Sequence, residues 1–428
     1  MASQTGTNPT DTRAQSRPGT PSLLRELNDR AALELLIDGR SLTRAQLSEL
    51  TGVSKVTVAQ MLARLEDRGL VAAVGSQNGG RGPNAALYSV VPSSAYVAAL
   101  YVEHGLVAVA IADVTGRVIA EAREDTNGEG EPVELVRSAV DRACQRAGVS
   151  VSMLSAFVIG SPGIVDPATG DPQLAYNLPA WHEGVLAGLR GALHKNVLIE
   201  NDVNLAAIAE RAAGAAAGAD DFVLLWIGVG VGLATVLGGR LHRGASGAAG
   251  EIGWLPMPGA PVTPDVGFPA GGGLQWLAGA DAVRTIGAEY GFGDATAGGV
   301  APGSACPGAA SEVVRAAVSV LPPAGGAAPS GTLAEKGTRF LDELARRVAL
   351  GTAAVCTVLD PGLVVLGGEV GLAGGTALAD RVAAEVARIC PVRPRVVPTA
   401  VASEPVLRGA LLTAVDQARA DLLASVAG

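Results

Sequence analysis

Ser54, Lys55, Thr57 and Gln60 lie close together in the chain, and their side chains are donors and acceptors of the kind that reach base edges in a DNA major groove. They share a face if residues 54–68 form a helix, because Val58, Leu62 and Leu65 then recur on the opposite face and must pack inward. Upstream, Thr43-Arg-Ala-Gln46 has the Ser/Thr-x-x-Gln form of a capping box, which predicts a short helix ending near Thr51. Gly52 supplies the turn, and Ser54 can cap the second helix. After Gly69-Leu-Val71 a glycine-rich tip, Asn78-Gly-Gly-Arg81-Gly-Pro83, precedes a strand-like run, Ala86-Leu-Tyr-Ser-Val90. That is the pattern of a β-hairpin wing whose Arg81 can reach phosphate or the minor groove. An ordinary helical hairpin with a polar outer face is the plainer reading of the two helices. The added wing favours a winged helix-turn-helix DNA-binding domain over residues 22–92.

Bulk charge does not drive such binding. The chain of 428 residues carries a formal charge of −9, which argues against a protein that coats nucleic acid. Residues 22–90 hold eight basic and seven acidic side chains, so the placement of Arg44, Lys55, Arg64 and Arg81 matters more than their number. The length predicts two or three domains. Cys144, Cys306, Cys356 and Cys390 are far apart, offering neither a zinc knuckle nor a disulfide framework, which fits a reducing cytoplasm. Apolar stretches are broken by glycine and charge, so no membrane span or membrane partner is expected. Residues 1–21 are Ser, Thr, Pro and Asp rich with no apolar h-region; they read as a disordered tail rather than a secretory signal.

From Ala95 the pattern changes to alternating strands and helices. Strands are expected at Tyr96–Val102, Leu106–Ile111, Arg117–Ala120 and Ala156–Ile159, with a helix over Val133–Ala147. The same grammar returns at Phe222–Ile227, Leu233–Leu237 and Leu363–Leu366. The class is therefore α/β, in two lobes, residues 95–218 and 219–428, with a cleft between them. Glu251 stands in a glycine-rich turn among apolar residues, where a carboxylate is costly without a partner; this points to a ligand role. Asp202, taken alone, is better explained as a cap for a helix starting at Val203. Trp254 and Trp276 suit either a core or a stacking surface for a sugar. His104, His182, His194 and His242 are scattered and read as ordinary surface or core residues.

Gly160-Ser-Pro-Gly-Ile-Val-Asp166, Asn177-Leu-Pro-Ala-Trp181, Glu200-Asn-Asp-Val-Asn-Leu-Ala-Ala207 and Gly247-Ala-Ala-Gly-Glu-Ile-Gly253 together resemble the ROK family (repressors, open reading frames and kinases), in its order and at its spacing. With the winged helix, the resemblance covers nearly the whole chain from about Ser22. It implies an actin-like, sugar-kinase (ASKHA) fold after the DNA-binding domain, with the last helix returning to lobe 1. It also implies one of two activities: phosphorylating a hexose with ATP, or repressing sugar genes in response to a sugar.

The residues that the resemblance assigns separate these two. Asp202 matches the catalytic base, Asn201 and Glu251 match groups that hold sugar hydroxyls, and Asn177 belongs nearby. Trp254 stands where the kinases have His, and Gln275 where they have a further Glu. The family's zinc site needs that His and three cysteines, and residues 254–280 contain neither residue type. The kinases carry Asp-x-Gly-x-Thr at the first hairpin; this chain reads Tyr101-Val-Glu-His-Gly105. Glu103 could serve a metal there, but the second glycine and the threonine are missing, and His104 and Leu106 add bulk. Gly228-Val-Gly-Val-Gly232 and Gly367-Gly368 survive, although such glycines also serve tight strand turns. The expectation is a repressor whose kinase-like domain has become a sensor and dimerisation platform. It has no catalytic residue beyond a vestigial base at Asp202, no bound metal, and no ATP or Mg²⁺ cofactor. Its ligand set is Asn177, Asn201, Asp202, Glu251, Trp254 and Gln275. Its partners are an inverted-repeat operator, a sugar or sugar-phosphate effector, and a second copy or a tetramer. The alternatives are a hexose kinase and a ligand-independent DNA-binding regulator. Residues 256–272 are expected to be mobile or repacked. Residues 291–332 read as a variable insertion with a short helix around Ser311–Leu321, and long helices follow at Thr332–Leu359 and Pro405–Val426.

Overall fold

Side-chain caps decide where the first helices begin in the computed structural model, which describes residues 21–77, 84–103, 105–125, 131–173, 184–193, 195–266, 271–293, 308–322 and 330–426. The wing tip with Arg81, as well as Asn177, His104, His182, His194 and residues 1–20, lies outside the described residues. The chain divides into two compact units, one running to Ser94 and joined by Arg419–Gly428, the other Ala95–Ala418.

The first unit comprises α1 (Pro21–Ile37), β1 (Leu42–Thr43), α2 (Arg44–Thr51), α3 (Lys55–Asp67), β2 (Val71–Gln77) and β3 (Ala85–Val90). Thr43 and Gln46 form the reciprocal capping box at the start of α2, and Gly52 stops that helix in the left-handed conformation at φ 73°, where a side chain would be strained. Ser54 accepts the Thr57 N–H and caps α3. Leu33 and Leu36 of α1, Leu47 of α2, and Val58, Met61, Leu62 and Leu65 of α3 are fully buried. Each contributes roughly 1.5–3 kcal/mol relative to exposure. The strands form an antiparallel sheet in the order β1-β3-β2. This is a three-helix winged helix-turn-helix.

In the second unit, lobe 1 comprises β4 (Tyr96–Glu103), β5 (Leu106–Asp113), β6 (Val118–Asp125), α4 (Pro132–Ala147), β7 (Leu154–Ser161), β8 (Ile164–Val165), β9 (Pro172–Gln173), α5 (Val185–Leu193), β10 (Val197–Asn201) and α6 (Asp202–Ala213). Lobe 2 comprises β11 (Phe222–Ile227), β12 (Val231–Leu237), β13 (Arg240–Leu241), α7 (Gly273–Ala278), α8 (Ala280–Glu289), α9 (Ala309–Ser319), α10 (Leu333–Leu359), β14 (Leu363–Gly367), α11 (Gly368–Ile389) and β15 (Arg395–Pro398), followed by α12 (Pro405–Val426).

The two main sheets are built alike. Lobe 1 has the order β10-β7-β4-β5-β6 and lobe 2 the order β13-β12-β11-β14-β15. In each, an antiparallel meander (β4-β5-β6 or β11-β12-β13) has two parallel strands added beside its first strand. Parallel strands are covered on both faces, which is why β7 and β14 are almost wholly buried runs. Phe340, Leu344 and Val348 of α10 pack with Leu225, Leu366 and Leu378 as the core of lobe 2.

The first turns of α12 lie on lobe 1. A Cβ added to Gly160 of β7 would stand 2.6 Å from Val406, and one added to Gly409 would meet the Leu205 carbonyl of α6. No helix among the described residues is long and apolar enough to cross a membrane.

Candidate functional site

On the first unit, α3 presents Ser54, Lys55, Val56 and Gln60 as exposed residues, with Thr57 partly exposed. Two of the polar groups are partly committed. Ser54 Oγ accepts Thr57 N–H at 3.1 Å and lies 2.9 Å from Thr57 Oγ1, so the pair first serves the cap. Arg64, expected at the groove, is paired within the unit. Its Nε and Nη2 donate to the two carboxylate oxygens of Asp29 at 2.7 and 2.5 Å, and this fork ties α3 to α1. Arg44 donates to the Tyr88 hydroxyl at 2.5 Å, with its guanidinium 5.3 Å from the ring centroid, joining α2 to the wing strand β3. Lys55 and Gln60 remain on the open face. Arg68 donates to the Ser425 carbonyl at 2.8 Å, which ties the end of α12 into this unit.

On the second unit, the end of β10 assembles a polar knot. Glu200 is buried, at 4% exposure. Its Oε1 accepts from Asn201 N and Asn204 Nδ2, both at 2.9 Å, and its Oε2 from Arg243 Nε at 2.7 Å. Arg243 follows β13, so this ion pair links the two lobes. Asn201 caps α6 by accepting Asn204 N–H, while its Nδ2 donates to the Gly163 carbonyl. It therefore holds the Gly160–Asp166 segment in place. The helix starts at Asp202 itself, one residue earlier than the Val203 start considered from sequence, and Asp202 Oδ1 accepts Val203 N–H at 2.8 Å.

The Asp202 carboxyl is pushed up to about 7, chiefly by burial, with the negative charges of Glu251 and Glu103 adding and the Val203 N–H opposing. Glu251 rises to about 7 through burial. It sits in the loop after Gly250, whose carbonyl accepts Leu233 N–H of β12, so strand pairing aims the loop at lobe 1. Glu103, at the β4 end of its hairpin, also raises Tyr101, whose hydroxyl is pushed well above its ordinary value by burial and then by Asp202 and Glu103. From lobe 2, Glu369 faces Glu103. Its carboxyl rises through burial first, against a hydrogen bond from Gly308 N, with Glu103 adding. The structure thus gathers Asp202, Glu251, Glu103 and Glu369 along one cleft. Glu369 directly follows Gly367-Gly368, and an acid inside a glycine loop was the available signal for it.

Gln275, expected in the ligand set, is hydrogen-bonded within lobe 2. Its Oε1 accepts Val231 N–H at 2.8 Å and its Nε2 donates to the Val229 carbonyl at 2.9 Å. Each end of the amide makes one bond that braces the β11–β12 turn. Gly228 N in that turn donates to Gly230 O at 3.0 Å. Two N–H groups of the surviving glycine segment are therefore already bonded within the protein. Trp254 ends a short helical turn, Ile252–Trp254, directly after Glu251 and is partly buried. Trp276 is 51% exposed and is no core residue.

A winged helix-turn-helix followed by two sugar-kinase-like lobes is the class that this geometry defines. Residues 102–285 match the model of the ROK family, and residues 27–82 that of the MarR family. The chain carries a ROK family domain behind a MarR-type winged-helix N-terminus. The xylose repressor of Caldicellulosiruptor bescii is 25% identical over 240 residues, 55% of this chain and 60% of that protein; the match spans less than two thirds of that relative's length. The crystal structure of a ROK family transcriptional regulator, a homologue of the E. coli MLC protein, superposes with a TM-score of 0.68 at 19% identity over 95% of this chain and 99% of that one. The ROK hexokinase of Thermus thermophilus superposes with a TM-score of 0.57 at 28% identity over 76% of this chain and 99% of the kinase. The fold is thus common to regulators and kinases.

Proposed function

We propose that this protein is a sequence-specific DNA-binding regulator, a repressor of carbohydrate-related genes, whose ROK domain binds a sugar effector without phosphorylating it. It acts as a dimer or tetramer on an inverted repeat, each winged helix placing α3 in a major groove. The observation that carries the reading is the opposite condition of the two faces. The α3 face is open and largely polar, whereas the segments that would hold a triphosphate are partly bonded internally or flanked by acids. A phosphate cradle needs outward backbone N–H groups, and those of Gly228 and Val231 are bonded internally. Glu369 stands beside Gly228, its Cγ 3.6 Å from where a Cβ there would be, and its charge opposes a phosphate. Phosphoryl transfer depends almost wholly on positioning and charge neutralisation, so Asp202 keeps the protonation of a general base with nothing to act on.

The cleft itself suits an uncharged ligand. Near neutral pH the Asp202 and Glu251 carboxyls can each donate or accept a hydrogen bond to a hydroxyl. Arg243 is engaged by Glu200, and Arg315 lies near Glu369. Sugars are therefore favoured over sugar phosphates. Asn177, Asn201 and Trp254 complete the proposed sugar set, and Arg81 adds a phosphate contact at the wing. Ligand-driven change in operator affinity requires different sugar affinity in the two states.

The test is fluorescence anisotropy of the full chain at fixed salt on sequences selected from a random DNA pool. It is run with free aldoses and with their phosphates, beside an ATP-consumption assay. Selective binding that a free sugar shifts, without ATP turnover, is expected. Sugar-dependent ATP consumption at about 1 s⁻¹ or faster would make the protein a kinase.

A further inference from the structure

Val56 is 70% exposed, on the first turn of α3 between Lys55 and Thr57. It does nothing visible for the fold. The cap is made by Ser54 and Thr57, and the inward face is carried by Val58, Met61, Leu62 and Leu65. A β-branched residue is also a modest helix former, so neither packing nor propensity accounts for a valine here. Its neighbour one helical turn on is Gln60, also exposed, and residues four apart stand side by side on a helix surface. In a major groove, Gln is suited to the N6 and N7 edge of adenine, while the thymine C5-methyl is the apolar group displayed there.

We infer that Val56 is a specificity-determining residue of the recognition helix, packing its γ-methyls on the C5-methyl of a thymine beside the base that Gln60 reads. The inference rests on the DNA-binding reading above and adds to it a particular base and a particular atom. The contact supplies no charge, so it changes sequence preference while leaving the salt dependence of binding unaltered. It also differs from any contact by Lys55, whose ammonium reaches guanine or phosphate equally well.

The experiment uses the full chain and the preferred sequence from the random pool, with each thymine replaced singly by deoxyuridine, which removes the methyl and nothing else. At one thymine per half-site the wild type should lose about fourfold in affinity, the worth of one buried methyl. Val56→Ala should bind the thymine sequence about fourfold more weakly and be indifferent to uracil at that position, with an unchanged melting temperature and salt slope. A wild type indifferent to uracil at every position overturns the inference alone, as does a Val56→Ala variant that keeps the wild-type preference for thymine. A pool that yields no preferred sequence overturns the regulator reading and the inference with it.

Discussion

The first hairpin of lobe 1 and the first hairpin of lobe 2 occupy equivalent places in two sheets of the same design, yet their tips are chemically opposed. The β4–β5 tip carries Glu103 and the open-sided Gly105, at φ 81° with nothing near its missing Cβ. The β11–β12 tip is glycine-rich, braced by both ends of the Gln275 amide, and flanked by Glu369. The first tip ends on an acid; the second is glycine-rich, with its Gly228 and Val231 N–H groups bonded internally. Strand order is held by burial of whole apolar runs, whereas tip chemistry depends on single side chains. Architecture and the chemistry of the cleft are therefore set by different residues.

The largest break in this comparison is at lobe 2. Gly368 has φ 74°, and a side chain there would run into the Ile227 backbone. Gly368→Val should cost more than about 3 kcal/mol, read as a lowered unfolding midpoint. Gly105→Ala should cost only about 1 kcal/mol, from its left-handed backbone alone. Equal losses would show that the two lobes are equally constrained at these glycines.

Arg243→Met leaves Glu200 buried without its cation. Breaking such a pair costs about 3–5 kcal/mol in a dry interior; with half of the arginine side chain in solvent, about 2–3 kcal/mol is expected in urea denaturation. A smaller loss would mean that Asn204 and the Asn201 N–H suffice for the carboxylate.

Acid–base behaviour sharpens the contrast further. Asp202 titrates at about 7 when folded but near 4 when unfolded, so between those values the folded state holds the proton and the unfolded state does not. Its contribution is present below about pH 4 and is lost as the pH rises through 7. Glu251 behaves in the same sense. Asp202→Asn should raise stability at pH 8 by about 2 kcal/mol, reduced from the full shift for partial solvation, and should leave it unchanged at pH 4. A flat wild-type profile between pH 4 and 8 would show these carboxyls to be solvated. A modest effect is expected for Gln275→Ala, about 1–2 kcal/mol for two hydrogen bonds. Its signature is faster hydrogen exchange at the Val231 amide.

Much of the fold was legible in sequence because it is written in local periodicity. The capping box at Thr43–Gln46, the inward stripe of α3, and the buried strands at 156–159, 222–227 and 363–366 each follow from neighbours in the chain. Helix α1 was less visible as a separate element, since its apolar residues are completed as a stripe only by packing against α3. Asp202, Asn201 and Glu251 could be named as candidates from their motifs. The pairing of Arg64 with Asp29, and of Gln275 with the β11–β12 turn, was not legible. Their partners lie 35 and about 44 residues away, and no local pattern announces a pairing at that distance.

The sequence by itself determined many of the helices and strands, that a DNA-reading module precedes two α/β lobes, and where the glycines and acids of the cleft fall along the chain. These follow from periods of 3.6 and 2 residues and from capping chemistry, all of short range. Only the tertiary structure decided which polar groups are spent and which are free. Hydrogen bonds and charges act across a few ångströms of space, and it was chain topology that set Glu103 beside Asp202, Glu369 beside Gly228, and Val56 in the open.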